Sequence, residues 1–388
     1  MRLLLVCSIV FVAAAAPAQA SAIAPGVYDA SGQALYVGIQ HHLPDPAQND
    51  YFDPTSGRTG DLASARGLHL RCGVREERRL IAAPQGHLGA SLYYRGDNPR
   101  ATIVLIHGAD AETREMGFII PYFVCNGMNV VSYDQRGVGE STGNWFLTGP
   151  IQKVQDVVAA YDTFRDDRHV APRDIGVWGF SNGGWTAPLL PLRRPVAFMI
   201  LKSAPTESIL SNIDYEVTME LRRHSASGSD IARALEMWHT VENAIYEKVS
   251  WNDARRVLGV DQKRPWFQYS LMPKLGVPPP AATVSGLREA FGYDPRATLM
   301  RVITPTLALY GAYDRKLDSA DSSAQMREFL DRAGARDVTV IMFPQAGHTL
   351  EVSANGYDAD VPERFAPGYP GIVLTWLRKR GLIDERQQ

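Results

Sequence analysis

Ile175-Gly176-Val177-Trp178-Gly179-Phe180-Ser181-Asn182-Gly183-Gly184 is the stretch on which the reading of this chain turns. Its first four residues form a short apolar strand, and a helix is expected to open at its end. Between them lies a G-x-S-x-G pattern, the context in which a serine sits on a tight strand-to-helix turn with its hydroxyl raised above a sheet. Such a turn strains the serine backbone and presses its neighbours against the adjoining strand and helix. Residues without Cβ at 179 and 183 relieve those contacts. The start of the helix also leaves free N–H groups facing the site, ready for negative charge. Five matching residues alone are a weak signal, because Gly and Ser are common; a strand before and a helix after make it specific.

Working outward, the same strand–helix rhythm recurs. Leu80 to Ala83, a turn at Pro84-Gln85-Gly86 and Ala90 to Tyr94 predict a hairpin. Thr102 to Ile106 is a continuous apolar run of the kind buried on both faces of a parallel sheet. A helix-length segment follows to Cys125, and then the run Val130 to Tyr133. From Ile151 to Phe164 apolar residues recur at 151, 154, 157, 158, 161 and 164, one face of a helix. Val196 to Leu201 is a further strand. The rhythm stops between Thr206 and about Met300, where Ile213, Val217 and Leu221 share a helical face, as do Ile231, Leu235, Trp238, Ile245 and Val249. Pro278-Pro279-Pro280 inserts a stiff, extended piece. Strands resume at Pro305 to Tyr310 and Val338 to Phe343, and a last helix fits Ile372 to Arg380. Alternating strands and helices imply an α/β fold with a mostly parallel sheet and helices on both faces. The expected division is a core over 76–205 and 301–388, a helical cap over 206–300 and a small β-rich segment over 21–75.

A serine is a poor nucleophile at neutral pH and needs a base, which in turn needs a group to orient it. Asp314 follows the strand ending at Tyr310, and His348 follows the strand Val338 to Phe343. Parallel strands place the loops at their C-terminal ends along one edge, so Ser181, Asp314 and His348 can converge there. The chain order Ser, Asp, His is that of the α/β hydrolases.

Over about Glu76 to Arg380 the chain resembles the α/β-hydrolase superfamily, in particular serine aminopeptidase-like and esterase-like hydrolases with an inserted helical cap. Two more motifs carry the resemblance. Ile106-His107-Gly108-Ala109 follows the first buried strand, where such enzymes place an oxyanion-hole loop, and Tyr133-Asp134-Gln135-Arg136-Gly137-Val138-Gly139-Glu140-Ser141 resembles their D-x-R-G-x-G-x-S loop. The resemblance implies an oxyanion hole made by the backbone N–H groups of Ala109 and Asn182. The single Gly108 departs from the HGGG loop of certain lipases and esterases and disfavours that subgroup. What the resemblance implies is acyl transfer to water with a carboxylic ester as first choice of substrate, and an amide or peptide bond as second. A catalytically silent binding protein of the same fold is the remaining alternative.

Other residues have blander readings. His107 shapes its loop, Asp134 and Arg136 make structural hydrogen bonds, and Asp318 and Asp321, rivals to Asp314, cap the next helix. His169 lies in a charged loop, and His224 and His239 lie on the cap surface. His41-His42 is not a metal pair, because neighbours on a strand point to opposite faces. The cap aromatics Tyr215, Trp238, Trp251, Trp266, Phe267 and Tyr269 are expected mostly to pack the cap, with an apolar acyl site as their alternative role. Glu207, Glu216 and Glu220 are the acids available to hold a substrate ammonium.

Composition closes other routes. The 388-residue chain has a formal net charge of −2, which excludes a generic nucleic-acid binder. Arg2, the apolar run Leu3 to Ala16 and Ala18-Gln19-Ala20 make a three-part secretory signal, so cleavage after Ala20 and an exported product, periplasmic or secreted, are expected, with no lasting membrane anchor. Cys7 leaves with that leader. Cys72 and Cys125 remain, either as a disulfide or as two buried thiols. No metal or cofactor is expected, since no ligand cluster or dinucleotide fingerprint occurs; the partner is a small acyl substrate or a short peptide.

Overall fold

The computed structural model describes residues 24–30, 33–38, 51–53, 58–60, 68–96, 101–272, 281–357 and 364–384. The leader, His41-His42, Ile39 and the triple proline lie outside the described residues.

A small antiparallel sheet comes first, with β1 (Gly26–Ala30), β2 (Gln33–Val37), β3 (Tyr51–Phe52), β4 (Thr59–Gly60) and β5 (His69–Gly73) in the order β4-β3-β2-β1-β5. Leu35, Tyr36 and Val37 are all buried, whereas Leu70 is 55% exposed. Eight strands form the main sheet: β6 (Arg75–Ala83), β7 (Gly86–Tyr94), β8 (Ala101–Ile106), β9 (Met128–Tyr133), β10 (Ile175–Phe180), β11 (Met199–Lys202), β12 (Thr306–Gly311) and β13 (Val338–Phe343). They lie in the order β13-β12-β11-β10-β8-β9-β7-β6. The six from β13 to β9 run parallel, and the expected hairpin β6–β7 adds antiparallel to β9. Every residue of β8, β9 and β12 is buried, the signature of strands covered on both faces. The outer strand β6 carries Arg75, Glu76, Glu77, Arg78 and Arg79, charges that discourage edge-to-edge pairing.

On one face α1 (Ile119–Val124) and α10 (Tyr369–Arg378) pack with the small sheet into one apolar cluster. On the other, α2 (Pro150–Arg168) buries Val154, Val157, Ala160, Tyr161 and Phe164, beside α3 (Gly183–Thr186) and α9 (Ser319–Arg332). Pro150 at the first position of α2 loses no hydrogen bond there. The segment expected to be helical up to Cys125 is helix only in its last turn and a half; residues 107–118 form an irregular strap tied down by side chains, described below.

Between β11 and β12 come α4 (Ile209–Arg223), α5 (Gly228–Ile245), α6 (Trp251–Asp261), α7 (Ala281–Phe291) and α8 (Pro295–Leu299). Val217, Leu221, Met237, Trp238, Val241 and Trp266 give this insertion its own core. Ser227 and Ser250 cap α5 and α6, each accepting from an amide three residues on and donating to the aspartate there. Val249 lies past the end of α5, at Ile245, and so falls off the face expected for it. Among the described residues no helix is long and apolar enough to cross a membrane.

Cys72 of β5 and Cys125, just after α1, form a disulfide with Cα atoms 6.0 Å apart. It staples the small sheet to the core.

Candidate active site

Ser181 follows the last residue of β10 and has φ of 51°, the left-handed region in which a non-glycine residue is strained. The chain tolerates this turn because its neighbours have no Cβ. A Cβ at Gly183 would come within 2.5 Å of the Ile106 carbonyl oxygen, and one at Gly184 within 2.3 Å of the Ala204 Cβ. The turn is fastened from below by the Ser181 amide, which donates to the Lys202 carbonyl at 3.0 Å.

The other two expected residues arrive from neighbouring strand ends. Asp314 lies in the loop after β12 and His348 in the loop after β13. His348 Nε2 lies 2.9 Å from Ser181 Oγ, and Nδ1 lies 2.7 Å from Asp314 Oδ2. The remaining oxygen of Asp314 accepts from the amides of Lys316 and Leu317, at 2.8 and 3.1 Å, which fixes the carboxylate plane. Ser203 donates its hydroxyl to the His348 carbonyl at 2.7 Å. Asp314 and His348 are buried. Asp318 caps α9 through the Asp321 amide and does not compete with Asp314.

The amides of Ala109 and Asn182 have no intramolecular acceptor among the described residues, as donors to a transient oxyanion require. Around Ala109 the strap is pinned on all sides. Gln135 Nε2 donates to the Gly108 carbonyl at 3.0 Å, the Gln135 amide donates to the Glu112 carbonyl at 3.1 Å, and the Arg114 amide donates to Asp134 Oδ1 at 2.8 Å. Asp134 also takes the Glu140 amide, and Arg136 pairs with buried Asp156, so both have the structural roles expected of them.

The histidines read as bland are so placed. His169 ends α2, His224 stacks on Tyr269 and His239 meets Asp214. The cap aromatics divide. Trp238 donates to the Ser270 carbonyl in the cap core, and Trp266 is buried there too. Tyr215 instead donates its hydroxyl to the Asp314 carbonyl at 3.1 Å, and Asn212 to that of Lys316, which hooks α4 onto the aspartate loop.

Two residues at this site carry no signal in the sequence. Lys202 is only 7% exposed, and its ammonium lies over the rings of Phe180, Phe365 and Tyr369 at 4.8, 5.5 and 5.5 Å. Burial pushes it down to about 8, against the opposing pull of Glu351 and Glu112. Phe180 in turn packs on the His348 ring, with centroids 5.2 Å apart. Glu112 accepts from His107 Nδ1 at 3.1 Å and from the Gly108 amide at 3.2 Å. Burial raises its carboxyl, but the bond and charge of His107, the Gly108 amide and Lys153 outweigh it and hold the group below the usual carboxylate range.

A family model described as serine aminopeptidase, S33, matches residues 97–259, a span that includes the strap and Ser181 but stops short of Asp314 and His348. The fold is similar to that of an esterase of Pyrococcus furiosus, at 14% identity over 79% of this chain and 91% of that one, with a TM-score of 0.50. The chain has an α/β-hydrolase-like fold. A second α/β-hydrolase likeness, with a TM-score of 0.53, is to an acylaminoacyl peptidase of Pyrococcus horikoshii, at 11% identity over 93% of this chain and 50% of that one. In sequence the chain is 28% identical over 181 residues to a pimeloyl-[acyl-carrier protein] methyl ester esterase of Nitrosospira multiformis, which is 46% of this chain and 63% of the relative. It is 32% identical over 99 residues to a thiohydrolase of Aspergillus aculeatus. The matches span 63% and 30% of the lengths of these two curated relatives.

Proposed function

We propose that the protein is an exported serine hydrolase that cleaves a carboxylic ester through Ser181, His348 and Asp314. The continuous relay from hydroxyl to imidazole to carboxylate, at 2.9 and 2.7 Å, carries this reading. His348 takes the Ser181 proton as the hydroxyl oxygen attacks the substrate carbonyl, while Asp314 holds the imidazole tautomer and stabilises its charged form. The negative charge that develops on the carbonyl oxygen falls to the amides of Ala109 and Asn182. His348 then protonates the leaving alcohol, and the acyl group stays on Ser181. A water molecule, deprotonated by His348, releases the acid and restores the hydroxyl.

Ester is preferred because it is the less demanding bond, and because the curated relatives are named a methyl ester esterase and a thiohydrolase. An amide or peptide bond is the second reading, favoured by the aminopeptidase description of the matching family. Of the acids expected to hold a substrate ammonium, Glu220 engages His224, whereas Glu207 has one oxygen on Ser322 and the other buried without a partner. Export is supported by the leader pattern and by the Cys72–Cys125 disulfide, a bond that persists in oxidising compartments.

A fluorophosphonate probe tests the catalytic reading: labelling at Ser181 is expected, and Ser181→Ala abolishes it. Well-folded protein that takes no label favours a binding role instead. A panel of p-nitrophenyl esters and aminoacyl-p-nitroanilides then separates the two bonds. Turnover restricted to anilides with a free amine overturns the ester assignment.

A further inference from the structure

We infer that Glu112 is a positioning residue for the oxyanion hole, acting through His107 and Gly108 on the amide of Ala109. The inference deepens the serine-hydrolase reading and rests on it.

The argument starts from what holds the strap. Residues 107–116 leave β8 without helix or strand, so apart from the Gln135 amide on the Glu112 carbonyl it is side chains that fix their backbone. His107 is nearly fully buried, and both its ring nitrogens face oxygens: Nε2 the Tyr133 carbonyl at 2.5 Å and Nδ1 the Glu112 carboxylate. The same carboxylate oxygen, Oε2, also accepts from the Gly108 amide. One atom therefore ties the His107 ring and the 107–108 peptide to a residue five positions further along the chain. Phe180, next to the nucleophile, closes the remaining side: a Cβ on Gly108 would lie 3.4 Å from its ring. Ala109 follows directly, and its amide is the one left free for an oxyanion.

The placement matters because a donor contributes to catalysis only when aimed in advance at where the charge appears. Without Glu112, the Gly108 amide loses its acceptor and His107 loses one of its two anchors. The peptide carrying the Ala109 amide keeps the Gln135 bond to its carbonyl but loses the brace on the peptide before it, so its N–H can tilt away from the oxyanion. Substrate binding, which does not need that donor, is affected far less. A carboxamide at 112 keeps an oxygen for Gly108 and an N–H for a ring nitrogen of His107. Shortening to aspartate keeps the charge but cannot reach both partners.

The test compares Glu112→Gln, Glu112→Asp and Glu112→Ala in the full chain, reading kcat and KM on a p-nitrophenyl ester that the wild type turns over, with a thermal melt of each. The expected order of kcat is Gln above Asp above Ala. The Ala variant should fall about 100-fold, with KM within about threefold of wild type. These losses should not follow the order of melting temperatures. Aspartate guards against an alanine variant that does not fold. An unchanged kcat in folded Asp or Ala protein overturns the inference, as does a rise in KM at constant kcat, which marks a substrate contact. A wild type that neither takes the fluorophosphonate label nor turns over ester overturns the parent reading instead.

Discussion

At the residue scale, the site combines groups that sequence patterns reveal with groups that they do not. Ser181 announces itself because the turn it occupies demands Gly179, Gly183 and Gly184, which stand beside it in the sequence. Asp314 and His348 are legible for a related reason: each lies just beyond a strand of the parallel sheet, so the topology alone brings them to one edge. Lys202 belongs to the other kind. Nothing near it in the chain distinguishes it from a surface lysine, since its aromatic partners are distant in sequence, Phe180 before it and Phe365 and Tyr369 far beyond it. Its consequence can be measured. Between about 8 and the ordinary lysine value of 10.5, the unfolded chain keeps a proton that the folded chain has released. Stability from this group therefore rises with pH across that window, and below it the full cost of burying a charge is present. Lys202→Met is expected to melt higher than wild type at pH 7, with the difference shrinking by pH 10. A difference that does not depend on pH defeats this account.

At the element scale, the strap and the small sheet were the parts least readable in advance. The sequence suggests a helix-length segment up to Cys125, but only Ile119 to Val124 form helix. The preceding residues are spent on side-chain bonds to Gln135, Asp134 and Glu112 that no period in the sequence encodes. The small sheet carries no chemical motif, yet it abuts the strap and the segment that follows His348. Phe52 stacks on Phe118 at the end of the strap, at 4.7 Å between centroids, and meets Phe365 edge-on at 5.4 Å. Arg58 pairs with Arg364 across an isolated bridge, and the Arg364 carbonyl takes the amide of Val352, four residues beyond His348. Phe52→Ala is accordingly expected to cost about 3–5 kcal/mol. Ester turnover should fail at temperatures where far-ultraviolet circular dichroism still reports an intact main sheet. Loss of both signals together would show that the small sheet has no separate hold on the loops.

At the scale of the whole molecule, the fold was legible because its strands are short, apolar and evenly interleaved with helices, and the cap because that interleaving stops. The disulfide was not, since pairing depends on a distance that residues 53 apart in sequence do not reveal. By closing a loop of that length the bond restricts the unfolded chain, and chain-entropy reasoning gives a contribution of about 4 kcal/mol. Reduction by dithiothreitol, or Cys72→Ser with Cys125→Ser, should lower the unfolding midpoint in urea by a matching amount. An unchanged midpoint refutes the staple's role. This bond also governs how the protein has to be made. A bacterial cytosol would yield chains with both thiols free, whereas a host that oxidises its products would yield the closed form. Preparations from the two sources would differ by only two hydrogens in mass yet behave as distinct materials on heating or storage. Thiol titration belongs among the first quality checks on any batch.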